Sequence, residues 1–188
     1  MRIHLNKKGI RVLGVAESFR QPQRRSLLAG VVMRGDFVVD GATFGRTSVG
    51  GDDATKAVAS LYRKLRRNDV NLVMVSGAIL SLYNIIDVDA LAWKTRLPVI
   101  CLTYKETGGI EQSIVRHFPE RKEQKLEAYR RLGKRQRLRL SSGFTVYART
   151  SGLTDKETLA LVDMFTLQGS LPEPVRVAKL LARAGAAF

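Results

Sequence analysis

A single cysteine, Cys101, excludes any disulfide within this chain, and its place in an apolar run makes it a small core residue. Only two histidines occur, His4 and His117, far apart and without the spacing of metal ligands. No apolar stretch approaches the roughly 18 residues that mark a bilayer span. No membrane partner is therefore expected. The opening residues, Met1 to Lys8, lack the apolar core of a signal peptide, so a cytoplasmic location is expected. Neither a Gly-x-Gly-x-x-Gly after the first apolar run nor a phosphate-loop signature is present.

Acidic side chains are scarce relative to basic ones: 17 against 32, for a formal net charge of +15. Such an excess points to polyanionic partners, nucleic acid foremost. The charge is clustered. Residues 116–139 carry ten Lys or Arg against three Glu, a surplus of +7. Arg20, Arg24 and Arg25 form a second cluster, and Arg63, Lys64, Arg66 and Arg67 a third. Candidate phosphate contacts are Arg20, Arg24, Arg25, Arg130, Arg131, Lys134, Arg135, Arg137 and Arg139, with a solvated helix and loop as the plain alternative for the longest run.

A chain of 188 residues with 45% hydrophobic content can bury a full core as a single domain, 1–188. Its organising stretch is residues 71–104. Residues 72–75 and 99–102 are short apolar runs rich in β-branched side chains, which read as strands buried on both faces. The segment between them is long enough for a crossover helix, so the two strands should be parallel. Ligands of such sheets sit beyond the carboxyl ends of the strands. That points to Ser76, Gly77 and Ala78, and to Thr103, Tyr104 and Lys105. Trp93 and Tyr83 fit the packing of the crossover segment.

Upstream, residues 11–16, 27–33 and 37–44 read as strands with short connections, an antiparallel meander with a bulge or bend at Asp40-Gly41. Residues 45–51 read as a loop. A helix over residues 54–67 is capped by Asp52 or Asp53. Downstream, helices are expected near 110–117 and 120–132, then a strand over 142–149. Thr154 and Glu157 form a capping box for the next helix, and a last helix starts near Pro172. Meander, helix, then parallel strands with helices between is the order of a ribonuclease H-like mixed α/β sheet. A doubly wound nucleotide-binding fold is the runner-up.

The stretch Leu171-Pro172-Glu173-Pro174-Val175-Arg176, with Ala178 after it, resembles the carboxyl-terminal segment of endonuclease V. Val73-Met74-Val75-Ser76-Gly77-Ala78 and Leu97-Pro98-Val99-Ile100 are similar to two strands of that family, and the likeness is closer still to an archaeal branch of the superfamily. The resemblance implies a ribonuclease H-like fold and magnesium-dependent hydrolysis, manganese substituting, beside deaminated bases such as hypoxanthine or uracil. DNA is the implied partner, with RNA as the alternative. The family's first carboxylate falls at Ala16, one residue before Glu17; its third falls at Ser76. Carried over, Glu17 and Asp53 are the candidate catalytic pair and metal ligands, with Asp52, Asp40 and Asp155 as further candidate ligands. Each has a bland reading: capping for Asp52, Asp53 and Asp155, a bulge for Asp40, a solvated loop acid for Glu17. Lys105 is a candidate phosphate contact. A nucleic-acid-binding relative with a degenerate metal site is the alternative, because Ala16 and Ser76 bring no charge.

Overall fold

The first three strands pair as antiparallel neighbours: β1 (Arg11–Ser18), β2 (Arg25–Arg34) and β3 (Val39–Ser48). The computed structural model describes residues 9–19, 22–106 and 108–187. α1 (Ala54–Lys64) follows, then β4 (Leu72–Val75), a small hairpin of β5 (Ile79–Leu80) and β6 (Asn84–Ile85), α2 (Val88–Thr95) and β7 (Val99–Thr103). β4 pairs in parallel with both β1 and β7, as expected for a crossover unit. α3 (Glu111–His117) and α4 (Lys122–Arg131) lead to β8 (Gln136–Arg139) and β9 (Thr145–Ser151), which close the sheet on its far edge. The seven strands lie in the order β3-β2-β1-β4-β7-β9-β8.

Alternation along the strands splits the core into two layers. Leu13, Val15, Val73 and Val75 face α1 and α2, with Val58, Leu61 and Leu91 packed on them. Val12, Leu72, Met74 and Ile100 face the other way, towards α5 (Asp155–Met164) and α6 (Glu173–Gly185), against Leu161, Phe165 and Val175. Gly14 sets how close α6 can come. A Cβ built there would lie 2.2 Å from the carbonyl carbon and oxygen of Pro174, so only glycine admits the helix at that distance.

Of the bulge or bend expected at Asp40-Gly41, the structure has the bulge. Val32 pairs with Gly41 and Met33 with Val39, which leaves Asp40 as the extra residue. Two expectations need correction. Residues 45–48 belong to β3 rather than to a loop, because β2 continues to Arg25 and supplies the partner strand. The basic run read as helix and loop contains β8, in which only Leu138 is buried. Among the described residues no helix is long and apolar enough to cross a membrane.

Candidate functional site

β1 runs past its parallel neighbour β4, and its pairing with β2 is unbroken from Arg11↔Arg34 to Ser18↔Leu27. The strand therefore neither bulges nor ends at Glu17. Ala16 and Glu17 point to opposite faces. Ala16 packs against Val31 and Ala178 beneath α6. The Glu17 carboxylate accepts from Ser26 Oγ at 2.8 Å, from the Ser81 backbone N–H at 2.7 Å, and from the Ser81 hydroxyl.

Asp53 occupies the N-cap position of α1 without capping it. Its carboxylate turns back to β3 and accepts from Thr47 Oγ1 at 2.7 Å, Ser48 Oγ at 3.0 Å, the Ser48 N–H at 3.0 Å and Asn84 Nδ2 at 2.7 Å. Burial raises the pKa of this group, but those donors outweigh it and hold the carboxyl at about 2. The helix end is served instead by Asn84, whose Oδ1 accepts from the Ala54 N–H at 2.9 Å.

One hairpin thus grips both candidate acids: Ser81 holds Glu17 and Asn84 holds Asp53. Its turn is unusual. Ser81, Leu82 and Tyr83 have φ of 35°, 58° and 62°, a left-handed run without glycine. Each such residue costs roughly 1–2 kcal/mol, so the surroundings must over-determine the turn. They do. The Ser81 carbonyl accepts from the Gly50 N–H at 2.7 Å, and the Tyr83 carbonyl accepts from Lys125 Nζ at 3.0 Å.

Lys125, only 1% exposed, also donates to Gly51 O at 3.0 Å and Asp52 Oδ1 at 2.9 Å, and its ammonium lies 4.6 Å from the Phe118 ring centre. Arg121 takes the other Asp52 oxygen at 2.9 Å. Asp52, a candidate metal ligand by sequence, is thereby committed to two cations. Lys125 itself was hidden in the run of surface charge; its place beside Leu126 on the buried face of α4 is the signal that could have found it.

The remaining candidate acids stand elsewhere. Asp40 sits at the amino end of β1, bonded to Arg11 Nε at 2.8 Å and Arg67 Nη1 at 2.9 Å, which hold its carboxyl below the ordinary range against the opposing effect of burial. Asp155 is in the first turn of α5, whose capping box forms as expected, and lines a separate groove with Asp52, Arg131 and Lys134. Among the described residues no three of His, Cys, Asp and Glu converge as a metal site.

Beyond the carboxyl ends of β4 and β7 lies a cavity of about 220 Å³, bounded by Ser76–Ile79, Leu102–Tyr104, Ile110, Tyr129, Arg135 and Arg149. This is where the sheet order predicted a ligand. The Tyr104 hydroxyl is buried beside Ser76 with no hydrogen bond among the described residues, and burial pushes its pKa up. Arg149 is half-buried, and desolvation pulls its pKa down. Its Nε and Nη2 donate to the Gly133 carbonyl at 3.3 Å each, and no carboxylate pairs with it among the described residues. A guanidinium carries five N–H donors, so Arg149 keeps donors beyond those given to Gly133 at the wall of the cavity. Tyr104 is among the residues the sequence placed at this end of the sheet, whereas Arg149 was not singled out.

Of the basic candidates, Arg24, Arg25, Lys105, Arg130, Arg131, Lys134, Arg137 and Arg139 are exposed. Arg24 and Arg25 stand where β2 begins, at the Glu17 end of the sheet, and line a shallow groove with Arg46. Arg135 and Lys105 flank the cavity end, where Arg135 Nη1 reaches the Lys105 carbonyl at 3.5 Å. Arg131 and Lys134 face the separate groove instead. Arg20 lies outside the described residues, as does His4.

A sequence model of the family described as Endonuclease dU matches residues 8–185. A UPF0215 protein of Pyrobaculum aerophilum is 36% identical over 176 residues, covering 94% of each chain. A protein of unknown function from Archaeoglobus fulgidus has a similar crystal structure, with TM-score 0.80 at 26% identity over 95% of this chain and 99% of that one. Ciona intestinalis endonuclease V, solved with DNA containing an inosine, has TM-score 0.61 at 12% identity, covering 96% of this chain and 87% of that one. The fold is that of ribonuclease H-like nucleases.

Proposed function

Because the chain belongs to the endonuclease dU family, we propose that it is a nucleic-acid endonuclease acting near a deaminated base in DNA. Uracil is the first choice of base and hypoxanthine the second. The observation that carries this reading is the cavity beyond β4 and β7. A nuclease that inspects a base must take it out of the stack into a pocket, and this cavity suits a single base. Tyr129 offers it an aromatic face. Arg149 offers only donors, which suit O4 of uracil or O6 of hypoxanthine; cytosine and adenine present amino groups there instead. Arg24, Arg25, Lys105, Arg137 and Arg139 supply phosphate contacts around the same end of the sheet, with RNA as the alternative to DNA.

Magnesium, with manganese as its substitute, is the cofactor implied by the endonuclease V resemblance. The residues do not fit a carboxylate cage for it. Asp53 is occupied by four donor groups and Glu17 by three, while Asp40 and Asp155 lie apart from both. A carboxylate has about four lone-pair positions, so little is left for a metal. Those engaged acids, with Ala16 and Ser76 at family carboxylate positions, favour a second reading: a protein that binds the strand without cutting it.

The test is cleavage of labelled oligonucleotides carrying one uracil or one hypoxanthine, with Mg²⁺, Mn²⁺ or EDTA, for the native chain and for Glu17→Ala and Asp53→Ala. Metal-dependent cutting abolished by both substitutions supports the nuclease with those two acids in it. Salt-sensitive binding without cutting selects the second reading.

A further inference from the structure

Trp93, the one tryptophan of the chain, is 79% exposed. The crossover segment does not bury it, contrary to the sequence expectation: α2 turns Val88, Leu91 and Thr95 inward and leaves Trp93 on its outer face. The ring borders a groove between α1 and α2 of about 710 Å³, whose other lining residues are Lys56, Ala59, Arg63, Lys94 and Arg96. No acid lines it. All four cations are exposed, and none forms a salt bridge among the described residues.

The backbone gives an independent signal. α2 ends at Arg96 in the left-handed conformation, with φ 57°, a position that usually takes Gly or Asn. An arginine there breaks a local rule at a cost in strain, and such breaks concentrate where function demands the side chain. It places a long cation at one end of the groove, with Lys94 next to it, 5.7 Å from the centre of the Trp93 ring.

An exposed aromatic ring among like charges is unfavourable in water on both counts. A flexible polyanion that carries flat rings relieves both. We propose that this groove binds single-stranded nucleic acid, one base stacked on Trp93 and the flanking phosphates against Lys56, Arg63, Lys94 and Arg96. Aromatic platforms beside a positive track are how proteins hold single strands without reading sequence. α1 starts next to Asp53 and α2 next to Asp87, both near the carboxyl end of the sheet, so the groove leads away from the candidate site along the helix face. A lipid surface is the poorer fit, since interfacial binding needs an apolar helix face and Trp93 is the one large exposed apolar side chain on α1 and α2. The inference goes beyond the nuclease reading and does not depend on it.

The emission of Trp93 reports on this groove alone. Titration with a short oligothymidylate should quench it saturably. Trp93→Ala should weaken binding of that oligonucleotide about tenfold. Lys94→Ala and Arg96→Ala should each flatten the slope of log affinity against log salt by about 0.7, with melting temperatures recorded to confirm folding. The proposal is overturned by absent binding, by binding that leaves Trp93 emission unchanged, or by native affinity in Trp93→Ala. Emission that responds to phosphatidylserine vesicles and not to the oligonucleotide would overturn it in favour of a membrane surface.

Discussion

Asn84 Nδ2 lies 2.7 Å from Asp53 Oδ1, and the same carboxamide accepts from the Ala54 N–H. One buried side chain therefore anchors the candidate acid and caps the helix behind it. Asn84→Ala leaves the Ala54 N–H without that partner and Asp53 short of a donor. Loss of a buried partner costs roughly 1–3 kcal/mol, so the urea midpoint should fall with the slope unchanged.

Acid should unfold this protein partly through Asp53. Its folded pKa of about 2 lies below the ordinary 3.8, so its stabilisation is complete above pH 3.8 and is lost as pH falls towards 2. The contribution is on the order of 2 kcal/mol. Asp69, held at about 2 chiefly by hydrogen bonds from Arg67, acts in the same window. Denaturation midpoints measured across that range should decline, and Asp53→Asn should make the decline shallower.

Gly14 and Gly30 separate two kinds of crowding. A Cβ at Gly14 meets the Pro174 backbone, whereas one at Gly30 lies 2.4 Å from Cδ2 of Leu61, the far end of a side chain that can turn aside. Gly14→Ala should cost about 1–3 kcal/mol through displacement of α6, and Gly30→Ala less. Thermal unfolding of the two variants side by side checks the order.

Arg149→Met should erase a preference for uracil over cytosine in strand binding, since a good base-edge contact is worth roughly 1–3 kcal/mol of discrimination. Competition titrations with matched oligonucleotides read it out. A native protein without any preference removes the base-reading proposal. A variant that keeps the preference removes only Arg149 from it.

Much of the scaffold was legible because it depends on period and turn chemistry. The meander, the parallel pair of β4 and β7, the bulge at Asp40 and the Thr154 capping box all follow from alternation, loop length and short polar side chains. The site was less so. The β5–β6 hairpin has strands of two residues, too short for any periodic signal, and its left-handed turn uses Ser81, Leu82 and Tyr83, where composition announces no turn. Asp53 looks like a helix cap, and only the fold reveals that β3 and Asn84 draw it backwards. Lys125 carries the same letter as its solvated neighbours but is buried against three oxygens, and Trp93 looks like core but is not.

The bulge at Asp40 also falls on an edge of the sheet. β3 is an outer strand of the sheet, ten residues long, with Val39 and Phe44 exposed. A straight, open edge of that length is a template for a second chain to pair with. Arg11 and Arg67 clamp Asp40 out of register and so spoil the template at one end. An aspartate first read for metal chemistry is, in this setting, the residue that breaks the regularity of an outer strand.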